Sequence, residues 1–383
     1  MIKRIAIIAG ETSGDILAAR LIKALHIHNP DLVFEGIAGP EMQSMGCKSL
    51  YPMETLSVMG LVEVLKHLPT LIKVRRELIQ RWTQNPPDLF IGVDAPDFNL
   101  PLAKRLHAKG IKTAHYVSPS VWAWRQGRVK KMQDAIDLML TLFPFEVEFY
   151  RQHQIKAVFV GHPLADEIQW EGDRWVARQA LGVTSTASKV IALLPGSRLG
   201  EIERLLPPFL QAAEQLIQRY PECTFIIPAA HTKARIAIEA LCKQYSPELP
   251  ITLVNGQSRT VMQAADYILL ASGTAVLEGM LSGRLMVAAY QVAPLTAWLL
   301  RTFKLLKVKY VTLPNNLANE RLVPELLQEQ VNAENIVIEM EKLMALTPTE
   351  RDYCLGRFKT LQQQLQQQAS TTAAAAIVQQ FNI

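Results

Sequence analysis

Short apolar runs recur along the chain, each followed by a longer stretch in which apolar positions return every three or four residues. A run without strict alternation fits a strand buried on both faces of a parallel sheet, and the longer period fits amphipathic helices. The pattern predicts strands at 4–9, 33–37, 89–93, 113–116, 138–141 and 157–160, then a second series at 190–194, 224–227, 251–254, 267–271 and 285–288. Helices are predicted between them, among others at 14–28, 101–109, 200–219 and 233–244. Such βα alternation implies an α/β fold with two doubly wound, Rossmann-like parallel-sheet domains.

The rhythm breaks across 163–188, where the chain turns polar around Gly172, Gly182 and Thr184-Ser185-Thr186-Ala187-Ser188. Near the end, 350–383 is rich in glutamine yet keeps Phe358, Leu361 and Leu365 at helical spacing, which predicts a polar-faced amphipathic helix. The expected division is 1–165, 166–349 and a C-terminal helical segment, 350–383.

Composition narrows the class. A chain of 383 residues exceeds one ordinary core, and 49% apolar with 20% charged residues supports folded domains. A net charge of +5 does not call for nucleic acid. Cys47, Cys223, Cys242 and Cys354 show no CxxC spacing, so they read as reduced thiols of a cytoplasmic protein. The first apolar run is too short for a secretory signal, and no run reaches the roughly 18–20 residues that span a bilayer. His115, His162 and His231 adjoin strand or loop ends without metal-site spacing, and Asp94…Asp97 is not a DxD pair. No metal and no cofactor are therefore expected.

Chemistry concentrates where strands end, because open α/β sheets bind ligands beyond the carboxyl ends of their strands. Gly92-Val93-Asp94-Ala95-Pro96-Asp97-Phe98-Asn99 follows one such strand, with Pro96 ending it and turning the chain. There Asp94 is either a general base for a hydroxyl or, with Asp97, a turn and helix-cap residue. Gly10-Glu11-Thr12-Ser13-Gly14-Asp15 lacks dinucleotide-fingerprint spacing. It offers backbone freedom and N–H groups at a cleft edge, or an ordinary turn capped by Ser13 or Thr12.

In the second series, Pro195-Gly196-Ser197-Arg198 joins a glycine turn to a cation suited to a diphosphate, against the alternative of a surface turn. Ser272, Gly273 and Thr274, with Glu278 one helical turn on, form a third glycine loop. It can meet phosphate and ribose, or simply start a helix. Ser118 and Trp122 lead into a basic patch of Arg125, Arg128, Lys130 and Lys131, able to stack on a base or sugar and hold a phosphate, or to form a packed loop and a solvated basic helix. Two stretches, 58–65 followed by Lys66, Lys73, Arg75, Arg76 and Arg81, and 298–307, mix bulky apolar and cationic residues as interfacial helices do. Core helices with snorkelling cations are the alternative.

In order along nearly the whole chain, AGETSGD (9–15), GIAGPEM (36–42), VMGLVEVL (58–65), GVDAPDFN (92–99), HYVSPSVWAWR (115–125), FPFE (143–146), GHPLAD (161–166), LLPGSR (193–198), ASGTA (271–275) and YVTLPN (310–315) resemble the lipid-A-disaccharide synthase family. The resemblance implies a GT-B-like fold: two Rossmann-like domains facing a cleft, with the C-terminal segment crossing back to the first. It implies inverting transfer, without a metal, from UDP-2,3-diacylglucosamine to the 6-hydroxyl of 2,3-diacylglucosamine 1-phosphate. Asp94 then matches the base, joined on the catalytic side by Glu11. Gly196, Ser197, Arg198, Ser272, Gly273, Thr274, Glu278 and Asn315 match the UDP-sugar side. Ser13, Asp97, Asn99, Ser118 and Trp122 fall to acceptor contact or loop orientation.

Near Asn315 the chain departs from the family pattern, reading Pro314-Asn315-Asn316-Leu317-Ala318-Asn319-Glu320, which leaves Asn316 as the competing contact. Expected partners are the two acylated sugars and the cytoplasmic face of the inner membrane, bound peripherally; a homodimer is admitted and nucleic acid is not. A peptidoglycan GlcNAc transferase would show a GxGGH loop in place of Gly10–Asp15. A UDP-GlcNAc epimerase would not need the 298–307 surface, and a non-catalytic scaffold would not need Asp94 and Arg198 together.

Overall fold

The computed structural model describes residues 3–56, 61–119, 129–183, 189–293 and 308–383, with side chains in the helix Leu61–Gln84 described from His67 onward. The chain forms two units, Met1–Asp166 with Leu365–Ile383, and Glu167–Gln364.

The first unit carries β1 (Arg4–Ala9), β2 (Val33–Ala38), β3 (Lys48–Pro52), β4 (Leu89–Val93), β5 (Lys112–Tyr116), β6 (Leu138–Thr141) and β7 (Ala157–Phe159). They form one sheet in the order β3-β2-β1-β4-β5-β6-β7, with every neighbouring pair parallel. In the second unit β8 (Lys189–Leu194), β9 (Cys223–Ala229), β10 (Ile251–Asn255), β11 (Tyr267–Ala271), β12 (Leu285–Tyr290) and β13 (Glu325–Leu327) run in the order β10-β9-β8-β11-β12-β13, again all parallel. The strand order reverses between β1 and β4 in one sheet and between β8 and β11 in the other. These are the switch points at which doubly wound sheets open a crevice.

The apolar runs became the central strands: Ile5, Ile7, Ile8, Phe90, Ile91, Val190, Ile191 and Ile268 are fully buried. Two strands escaped the pattern. Lys48–Pro52 lies at a sheet edge with mixed polarity, and Glu325–Leu327 is a three-residue edge strand. Short, half-polar edge strands carry little periodic signal.

One helix begins earlier than the expected 101. It spans Pro96–His107, with Pro96 in its first turn and Pro101 inside it. Proline at a helix start loses nothing, but Pro101 supplies no N–H for the carbonyl of Asp97. Arg75 Nη2 donates to that carbonyl instead, at 2.9 Å.

The single helix expected over 350–383 is two, Pro348–Leu365 and Ala369–Phe381, separated at Gln368, whose φ is 53°. Asp166 stabilises the break by accepting from the N–H groups of Gln368 (3.0 Å) and Ala369 (2.7 Å). The last helix then packs on the helix Thr12–His28 of the first unit.

Candidate functional site

At the first unit's switch point β4 ends in Asp94 and Ala95, both left-handed at φ 50° and 42°. For a residue with a Cβ this conformation costs about 1–2 kcal/mol, so neighbouring structure must hold it. Asp94 N donates to Tyr116 O at 2.9 Å, extending the ladder towards β5. From the following helix, Asn99 Nδ2 donates to Asp94 O at 2.8 Å and to Val93 O at 3.4 Å.

Behind the turn, a Cβ on Gly92 would stand 2.8 Å from both Asn99 Cβ and His115 Nδ1. Only glycine allows that approach. Burial pushes the His115 imidazole down to about 4, so it stays neutral. Its two ring nitrogens and Asn99 Oδ1 have no hydrogen-bond partner among the described residues.

Asp94 is half-buried, and its carboxyl is raised above the usual range, chiefly by desolvation and next by the charge of Glu11. A backbone hydrogen bond from Ala95 pulls the other way. Glu11 is the N-cap residue of the helix Thr12–His28 but makes no side-chain cap bond, and Thr12 and Ser13 are exposed within the first turn. Ala95, without a capping side chain, is the N-cap of the helix Pro96–His107. The N-cap positions thus fall to Glu11 and Ala95, whereas Thr12 and Ser13 lie within the first turn of one helix and Asp97 within the first turn of the other. Asp97 is exposed in its helix's first turn, beside a cavity of about 250 Å3 lined by Leu100, Pro101, Lys104, Lys131 and Met132 among others.

Asp15 closes the Gly10–Asp15 motif. It is buried, and its carboxylate accepts from the N–H groups of Gly39 (3.0 Å), Glu41 (2.9 Å) and Met42 (3.1 Å). It thereby ties the first strand-end loop to the one after β2. Ser118 Oγ shares a 2.8 Å hydrogen bond with Tyr150 OH and donates to Pro119 O at 3.1 Å, which anchors the loop after β5. Trp122, Arg125, Arg128 and the stretch 298–307 lie outside the described residues, as do 58–60 and the side chains of 61–66.

The second unit's switch point opens into a cavity of about 510 Å3. Gly196, Ser197, Arg198, Ser272, Gly273, Thr274 and Glu278 all line it, so the structure brings these expected residues together. Gly196 has φ 110°, and a Cβ there would lie 2.5 Å from Glu201 Oε2. Arg198 is 78% exposed and donates from Nη1 to Glu201 Oε1 at 3.0 Å.

His231 Nδ1 accepts from Ala234 N at 3.1 Å, which leaves the proton on Nε2 to donate to Ser197 O at 3.1 Å. The histidine thus braces the glycine loop, a role its isolated position in the sequence did not signal. Gly273 is the N-cap of the helix Thr274–Leu281 and offers no side-chain cap, so that helix start presents backbone N–H groups to the cavity.

Asn315 is placed differently from its expected ligand contact. It is fully buried, and its Nδ2 donates to Val323 O (2.8 Å) and Glu325 Oε1 (2.9 Å). Its Oδ1 accepts from Leu322 N and Val323 N, both at 2.8 Å. Asn316 Nδ2 is likewise committed, to Tyr310 O and Thr312 O, both at 2.8 Å. Both asparagines hold the 310–323 loop. Glu325 completes that scaffold by accepting from Thr312 N, Thr312 Oγ1 and Val311 N. Among the described residues no group of three or more His, Cys, Asp or Glu side chains is arranged to hold a metal ion, and no helix is long and apolar enough to cross a membrane.

A family model for lipid-A-disaccharide synthetase matches residues 5–381. The chain is 49% identical over 366 residues to the lipid-A-disaccharide synthase of Pseudoalteromonas translucida, covering 95% of this chain and 93% of that one. It is 54% identical over 333 residues to the enzyme of that name from Chromohalobacter salexigens, covering 87% and 86%. Among solved structures it is similar to the UDP-GlcNAc 2-epimerase of Neisseria meningitidis bound to UDP-GlcNAc, with TM-score 0.63, 14% identity and 98% of each chain covered. It is also similar to an α,α-trehalose-phosphate synthase (UDP-forming) from Burkholderia vietnamiensis, with TM-score 0.59, 14% identity and coverage of 99% and 98%. The structural likenesses are evidence of the GT-B fold; the sequence match carries the family.

Proposed function

The chain belongs to the lipid-A-disaccharide synthetase family and is a glycosyltransferase of lipid A biosynthesis, and from that premise we propose how its own residues divide the reaction. The donor is UDP-2,3-diacylglucosamine and the acceptor 2,3-diacylglucosamine 1-phosphate. Asp94 takes the proton of the acceptor's 6-hydroxyl as that oxygen attacks the donor's anomeric carbon. The bond from that carbon to the β-phosphate oxygen breaks, the β-1,6 bond forms with inversion, and UDP leaves carrying the electron pair.

The raised carboxyl of Asp94, fixed in a left-handed strand-end turn beside Glu11, carries this reading. A base held nearer neutrality shares the alcohol's proton better than an ordinary carboxylate does. The backbone N–H groups at Gly196, Ser197 and Gly273 donate to the diphosphate, and Arg198 exchanges Glu201 for it as negative charge develops on the leaving oxygen. Ser272 and Thr274 line the nucleotide side, and Glu278 accepts from the ribose hydroxyls. Asp97, Asn99, Ser13 and Ser118 shape the acceptor side, whereas Asn315 supports the donor side through the 310–323 loop.

Both substrates carry acyl chains and are met at the cytoplasmic face of the inner membrane. The apolar and cationic segments 58–65 and 298–307 serve as the interfacial contact. Replacing Asp94 with Asn tests the base directly. The variant should lose transfer by about 10²–10⁴-fold while binding UDP as the parent does, as measured by UDP release and by calorimetry. Full turnover would sink the assignment.

A further inference from the structure

Arg259 stands at the start of the helix Ser258–Ala264, in the loop beyond β10, and was not singled out by any motif. Its guanidinium grips two carboxylates at once. Nε donates to Glu278 Oε2 at 3.1 Å, and Nη1 donates to Glu167 Oε2 at 3.0 Å. Glu278 lines the 510 Å3 cavity and is mostly covered, with 18% of its side chain exposed. Arg259 engages Oε2 of that carboxylate, and Oε1 has no hydrogen-bond partner among the described residues.

Two physical problems arise when an acid serves a cavity that also receives a diphosphate. A glutamate has three rotatable bonds, so holding it in one pose has an entropic cost. Its charge also repels the phosphates unless a cation lies beside it. One planar guanidinium, itself anchored from the far side by Glu167, answers both.

We propose that Arg259 is a positioning residue for the donor nucleotide: it fixes Glu278 so that the carboxylate's remaining oxygen accepts from the ribose hydroxyls, and it partly offsets that acid's charge towards the diphosphate. This rests on the reading of the cavity as the UDP-sugar site. Lysine at 259 keeps the charge but not the fork, so it separates the two contributions.

Calorimetry with UDP and 2′,3′-dideoxy-UDP on the full chain tests the proposal. The parent protein should prefer UDP by about tenfold or more, the scale of a hydrogen bond to a charged group. Glu278→Gln should reduce that preference sharply, and Arg259→Ala should bring it to within about twofold. Arg259→Lys should recover part of the overall affinity for UDP yet keep less than half of the parent's ribose preference. A merely structural role would weaken both ligands alike and leave the ratio untouched. If Glu278→Gln collapses the ratio while Arg259→Ala or Arg259→Lys retains it, Arg259 does not position the acid and the proposal is overturned. If Glu278→Gln itself leaves the ratio unchanged, the ribose reading fails first and the proposal with it. Should Arg259→Ala not fold, the ratio in Arg259→Lys decides alone.

Discussion

At the first unit's switch point the chain turns through Asp94 and Ala95, two residues with side chains held left-handed beside buried Asn99 and His115. At the second unit's switch point the turn is made by Gly196, and Arg198, 78% exposed, pairs with Glu201. The sheets around them share one order over six strands, so under the proposed roles the contrast lies in what each loop has to do. A base must keep its carboxylate in one place and partly out of water, which calls for a side-chain-bearing turn braced from beneath. An anion site needs bare backbone N–H groups and a cation free to close, which calls for glycine and exposure. Sheet topology sets where chemistry happens; the rigidity of the strand-end turn sets which kind.

The comparison breaks most readily at its exposed end. Arg198→Ala should weaken UDP binding by about 10–100-fold, the range of a charge-assisted contact, and leave the pH profile of kcat at saturating donor unchanged. An unaltered affinity would show that the glycine loop binds the diphosphate without its cation. At the braced end, Gly92→Ala drives a Cβ into Asn99 and His115. It should lower stability by about 1–3 kcal/mol, the usual cost of overpacking, and reduce kcat more than donor affinity. Thermal unfolding alongside steady-state kinetics separates the two.

The pH dependence sharpens the same contrast. As the proposed base, Asp94 would act only when deprotonated, and its carboxyl is raised by burial and by Glu11. Activity should therefore fade, as pH drops, at a higher pH than an ordinary carboxylate would dictate. Glu11→Gln removes a like charge, which favours the ionised form, so the acidic limb of kcat/KM should move to lower pH. A limb that stays in place would mean that the two carboxylates do not share a field in the working enzyme.

Much of this was legible in the residues. Central strands such as Leu89–Val93 and Tyr267–Ala271 announce themselves because both sheet faces are covered and the apolar run is unbroken. Gly196, Arg198, Gly273 and Glu278 were legible as a set because residues at strand ends converge on one crevice. What escaped depends on partners distant in sequence. Asp15 reaches Gly39–Met42, His231 reaches Ser197, and Arg259 joins Glu167 to Glu278. No local period encodes such pairings. Asn315 shows the converse: a polar residue in a suggestive motif whose hydrogen-bonding groups are taken up by its own loop.

The smallest expected effect tests the idea that the braced turn matters for placement and not merely for folding. Ala95 bears a left-handed backbone that glycine would adopt without strain, a gain of about 1 kcal/mol. Glycine also frees the unfolded chain, a loss of about 0.4–1 kcal/mol, so the two nearly cancel and Tm should barely move in Ala95→Gly. The Cβ removed is one that closes against Gly10, across which the first strand-end loop meets this turn. Without it Asp94 should wander relative to Glu11, and kcat should fall by about three- to tenfold, because small misplacement of a reacting group is costly. UDP affinity, set at the other loop, should stay as it was. An unchanged kcat together with an unchanged Tm would show that the hydrogen bonds from Asn99 alone fix the base, and that the side chain at 95 contributes nothing to it.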